Sequence, residues 1–257
     1  MADSPLTYAL LGAAAFSAGA VNAVAGGGTL LTFPTLLAII NPIAANATST
    51  IALLPGSIAS VWAYRAELGH TRVMLSRLWL PSLLGGVVGA LAVTRFPERV
   101  FASLIPWLLL LASTLLLLQR PVARWLGAHP HEAPKASTIT VIVLFQFLVG
   151  IYGGYFGAGI GILMLSTLGF MGINDIHQMN GLKTMLAVII NAVTVVIFLA
   201  EGVVVWKYAG IMIAAAIAGG YIGARVARRM PAVAVRYFVV AIGFAVAGYS
   251  FYKRLSN

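Results

Sequence analysis

The sequence contains no cysteine, which excludes disulfides, thiol nucleophiles and thiolate metal sites together. Charge is scarce as well. Asp, Glu, Lys and Arg make up 9% of the chain against 61% hydrophobic residues, a balance no soluble domain needs, so most of the surface must face lipid. Catalytic signatures are missing too: no Ser–Lys or Ser–His pair is embedded at one depth, and there is no His-Glu-x-x-His and no Walker-type loop. His70, His129, His131 and His177 all fall in predicted loops. Proteolysis, metal catalysis and ATP-driven pumping therefore lack their residues, and neither a cofactor nor a metal is expected. The start, Met1-Ala2-Asp3-Ser4-Pro5, has no basic segment and no clear cleavage site, so no cleaved signal peptide is expected.

What is present is a series of long apolar runs. They cover residues 6–25, 49–64, 78–93, 101–118, 138–156, 184–199, 208–226 and 233–252, each near the roughly 20 residues that cross a bilayer core. Two shorter pieces, 30–40 and 160–171, are marginal for a straight crossing, and each follows a glycine cluster. This predicts an all-α integral membrane protein with about eight long transmembrane helices and two short or broken ones. The net charge of +10 does not indicate nucleic acid, because Lys and Arg lie between the apolar runs, as membrane loops require.

The halves repeat. Asn46 and Asn180, Thr50 and Thr184, Glu67 and Glu201, Gly85 and Gly219, Gly89 and Gly223, Arg95 and Arg229, and Pro97 and Pro231 are all separated by 134 positions. Upstream, Gly19, Gly26 and Gly28 match Gly150, Gly157 and Gly159 at an offset of 131. The expected organisation is a first transmembrane repeat over 1–119, a polar linker over 120–137 and a second repeat over 138–257. If the short pieces dip and return, the sixteen Lys and Arg residues divide nine to seven between the faces. If they cross, the division is eleven to five, which suits the positive-inside rule better. Five elements per half is an odd number, so the second copy enters from the opposite face and the repeat is expected to be inverted, a transporter architecture.

Chemistry is expected where the two short pieces begin. Gly26, Gly27 and Gly28 should unwind the backbone, and so should Gly157 and Gly159. Unwound backbone at membrane depth must line a cavity or lie buried in protein. The short helices that follow would aim their positive ends into that cavity, an arrangement suited to an anion. Asn46, Thr48 and Ser49 after the first short piece, and Asn180 and Lys183 after the second, can cap a helix or ligate an oxyanion. Lys183 and Asn191 fall on one helix face, although a lysine there can also snorkel to headgroups. Asn22 and Gln146 read as interhelical glue, and the Gly85/Gly89 and Gly219/Gly223 pairs as close helix packing. Glu67, Glu201 and Asp175 are candidates for coupling a proton, but at predicted span ends they read first as solvated carboxylates.

Across Gly19 to Gly28 with Pro34, Ala47-Thr48-Ser49, Gly150 to Gly161, Asn180-Gly181-Leu182-Lys183-Thr184 and Asn191, the sequence resembles the sulfite exporter TauE/SafE family, also called TSUP. The resemblance implies a small transporter of the bacterial inner membrane that moves sulfite, sulfoacetate or similar anions. The second copy departs from the pattern by placing Leu182-Lys183 where the first has Thr48-Ser49. The functions left open are a secondary transporter of small anions, with a proton or other ion as candidate coupling partner, and a passive anion channel.

Overall fold

The structure is a computed structural model, described here for residues 4–24, 27–128, 136–171, 173, 175–226 and 232–255. All regular structure among them is helical. The elements are α1 (Pro5–Val24), α2 (Thr29–Leu37), α3 (Pro42–Ala63), α4 (Arg65–His70), α5 (Arg72–Arg95), α6 (Glu98–Ala128), α7 (Ala136–Tyr155), α8 (Ile160–Phe170), α9 (Ile176–Ala200), α10 (Trp206–Val226) and α11 (Ala232–Leu255). Each of the ten expected segments coincides with a helix. The exception is α4, one short polar turn inside what the sequence presents only as a break.

The ends of these helices have local causes. Asn41 accepts from the Ala44 amide at 2.8 Å and Pro42 supplies the first helical residue of α3. Asp175 accepts from the His177 amide at 2.8 Å and starts α9. Many hydroxyls inside the spans return to carbonyls one turn back, as Thr50 does to Asn46 and Thr184 to Asn180, which meets those polar groups within the apolar interior. Helix α6, at 31 residues, is about 46 Å long and outruns a hydrocarbon core of about 30 Å. It therefore continues through Pro121 to Ala128, and the linker expected from 120 is helical over its first part. At 9 and 11 residues, α2 and α8 are too short to cross that core alone.

Packing follows an exchange pattern. Helix α1 lies along α10 and α7 along α5, so the first helix of each half packs on the third long helix of the other. The contacts agree residue by residue. A Cβ on Gly19 would run into the Ala216 carbonyl and sit 2.9 Å from the Gly220 amide nitrogen, while one on Gly150 would meet the Ser82 carbonyl at 2.9 Å and the Gly86 nitrogen at 3.3 Å. Ser82 and Ala216, like Gly86 and Gly220, are 134 positions apart. Gly85 abuts the Phe147 carbonyl just as Gly219 abuts that of Phe16. Only glycine permits backbones this close, so the packing role read for Gly85, Gly89 and Gly219 is what the structure shows. Outward, Val141, Leu144 and Leu148 form an exposed apolar stripe along α7, the face lipid covers.

Candidate functional site

The short helices follow sharp breaks in the backbone. Gly27 has φ +91°, and Gly157 and Gly159 both have φ +78°, a region side-chain-bearing residues rarely adopt. Gly26 lies outside the described residues. Both breaks rest on neighbouring residues of α6: a Cβ on Gly27 would contact Leu116, and one on Gly159 would contact Ala112 and Leu115. The duplicated glycines thus arrive at one part of the interior.

The first break is satisfied from within its own half. The Asn22 side chain reaches forward six residues and its Oδ1 accepts from the Gly28 amide at 2.8 Å. A second chain of bonds runs from the Gly28 carbonyl through Thr32 to Ser49, with the two hydroxyls 2.6 Å apart and both side chains fully buried. Ser49 is therefore tied to α2. Thr48 points elsewhere, since its hydroxyl oxygen accepts from the Val205 amide at 3.1 Å and clamps the turn entering α10.

The second break is built differently. The Tyr152 hydroxyl donates to the Ala158 carbonyl at 2.6 Å and closes the loop, and the start of α8, like that of α2, has no side-chain cap. Helix α9 lines this region with polar groups instead. Asn191 Oδ1 lies 3.9 Å from where a Gly157 Cβ would be, and the Lys183 stem passes Gly161 so closely that a Cβ there would be 3.2 Å from Lys183 Cδ. The half-buried Lys183 ammonium donates to Asn180 Oδ1 at 2.8 Å. The structure thus gathers Gly157, Gly159, Asn180, Lys183 and Asn191 around one break.

Asn46 links the halves. Its Nδ2 donates to the Tyr155 carbonyl at 3.0 Å, just before the second break, and the residue is 1% exposed. Four aromatic rings pack beside it: Phe33 against Phe156 (5.1 Å between centroids) and Phe101 against Tyr155 (5.4 Å), both edge to face. Such pairs contribute about 0.5–1.5 kcal/mol each beyond their buried area, and they stiffen the joint between α2, α6 and α7. Sequence reasoning gave Asn22 a structural role without its partner and gave Tyr152, Thr32 and this ring cluster none. The Asn22 to Gly28 spacing was the available signal for the cap. The rings come from three distant segments and left none.

Chemically, a half-buried ammonium, a helix N-terminus and a side-chain amide are groups that can donate to an anion. Among the described residues, no cluster of His, Asp and Glu suited to a metal is found.

The family model described as "Sulfite exporter TauE/SafE" matches residues 11–250. A "Probable membrane transporter protein" of a Sinorhizobium species is 31% identical over 242 residues, covering 93% of this chain and 90% of that one. A protein of the same description from Haemophilus influenzae is 28% identical over 250 residues, covering 96% and 95%. "Probable membrane transporter protein YfcA" of Escherichia coli K12 is 26% identical over 230 residues, covering 88% and 81%. No solved structure gives a significant match.

Proposed function

Because the chain belongs to the sulfite exporter TauE/SafE family of membrane transporters, we propose that it is a secondary transporter of a small sulfur-containing or organic anion, such as sulfite or sulfoacetate, working by alternating access. The observation that carries this is the second break, where Lys183, Asn180 and Asn191 meet an uncapped α8. An ammonium, side-chain amides and a helix N-terminus at this depth are groups by which a small anion can be held.

The two repeats are read as inverted. In support, contacts of one half recur in the other in transposed form, which is what a two-fold relation between interlocked repeats produces. Arg95 at the end of α5 pairs with Glu201 at the end of α9 at 2.9 Å, and the counterpart of Arg95, Arg229, lies outside the described residues.

Counterflow tests the reading. Proteoliposomes loaded with unlabelled sulfite should take up labelled sulfite faster than empty ones, and the absence of any acceleration would contradict a carrier and indicate a pore. Orientation is tested by His70→Cys and Trp206→Cys, made in a chain with no native cysteine. Inverted repeats place the two labels on opposite faces, and labelling from the same face would overturn the inversion.

A further inference from the structure

Four buried side-chain polar atoms have no hydrogen-bond partner among the described residues: Asn46 Oδ1, Glu67 Oε2, Gln146 Oε1 and Thr194 Oγ1. Asn46 is the one held directly against the start of the second break. The orientation of its amide is set by its neighbour, because a carbonyl oxygen only accepts. Nδ2 must therefore face Tyr155, and Oδ1 faces away as a pure acceptor.

The other copy shows what such an atom takes. Asn180, the equivalent of Asn46, has its Oδ1 met by the Lys183 ammonium three residues on, at 2.8 Å. In the first copy that position is Ser49, whose hydroxyl is committed to Thr32 at 2.6 Å. Thr48 serves the Val205 amide and Thr50 the Asn46 carbonyl. Ser49 and Thr50 are thus engaged elsewhere, and the Thr48 hydroxyl is turned toward Val205. A buried acceptor left unmet is uncommon in a native interior and calls for a partner.

We propose that the partner is a donor on the transported anion itself, so that the substrate class is a small oxyanion still carrying one O–H, a monoprotonated species such as hydrogen sulfite, in preference to a fully deprotonated dianion. Lys183 and the start of α8 answer the negative charge, and Asn46 answers the proton. The inference rests on the transport reading above and narrows its substrate. A site built to hydrogen-bond a substrate O–H discriminates strongly against an analogue without one, since its own buried atom is then stranded.

The test uses two monoanions of the same shape: methylphosphonate held below its second ionisation, which has one O–H, and methanesulfonate, which has none. Each competes against labelled sulfite in wild-type proteoliposomes. Methylphosphonate should inhibit at least about tenfold more strongly. In Asn46→Ala that preference should fall toward parity while inhibition by methanesulfonate is retained, which also shows that the variant is folded. Equal inhibition of the wild type overturns the proposal without any variant, and if uptake then depends on sodium the acceptor belongs to a coupling cation. An unchanged preference in Asn46→Ala, or equal loss of both anions, overturns it as well. No sulfite counterflow in the wild type removes the transport reading, and this inference with it.

Discussion

The two breaks share a backbone design and differ in their chemistry. Before α2, Asn22 takes the Gly28 amide and Thr32 and Ser49 bond each other, so the first break closes its polar groups internally. Neither short helix has a side-chain cap, but before α8 it is α9 that brings Lys183, Asn180 and Asn191 to the place. The two joints match in position, and the side chains close the first on itself while the second is the one proposed above to receive the anion. Position 49, Ser in the first copy, and 183, Lys in the second, mark the divergence.

What the two copies share should fail alike. Gly19→Leu and Gly89→Leu each force a side chain into a facing backbone where even a Cβ collides. Both should lose about 3 kcal/mol or more, seen as loss of a monodisperse protein in detergent. Tolerance of one but not the other would break the symmetry of the packing. The next effect separates the breaks: Asn22→Ala strands the Gly28 amide and should cost about 1–3 kcal/mol in thermal unfolding, while Asn191→Ala, which removes no bond that holds a break together, should unfold near the wild-type temperature but transport poorly. Gly159→Ala must carry a Cβ at φ +78° and should cost about 1–2 kcal/mol, with a matching fall in uptake. Smallest of all, Arg95→Ala removes an ion pair whose arginine is 72% exposed, and should change stability by no more than about 1 kcal/mol.

The elements were legible because lipid simplifies the code. Apolar runs of span length, glycines at matched offsets and polar entries to α3 and α9 all have local causes, and the helices follow them. Gly85 and Gly89 could be read as packing residues because small residues four apart have little else to do in a span. The site was legible only as a set of candidates. That Asn46 reaches a carbonyl 109 residues away, or that Thr48 serves an amide 157 residues away, depends on which helices are neighbours, and spacing along the chain does not encode that. The same limit hid Tyr152 and the ring cluster. The departure at Lys183 was visible from sequence because the first copy provided its own comparison.

The central claim is that the second break, through Lys183, receives the anion. Initial rates of labelled sulfite counterflow in proteoliposomes, measured for wild type, Lys183→Ala, Lys183→Arg and Ser49→Ala, test it most directly. The account predicts that Lys183→Ala falls about 10–100-fold, on the order of 1.4–2.8 kcal/mol, that Lys183→Arg keeps part of the rate because it keeps the charge, and that Ser49→Ala stays within about threefold, since it loses one internal hydrogen bond. Unchanged counterflow in both Lys183 variants would contradict it.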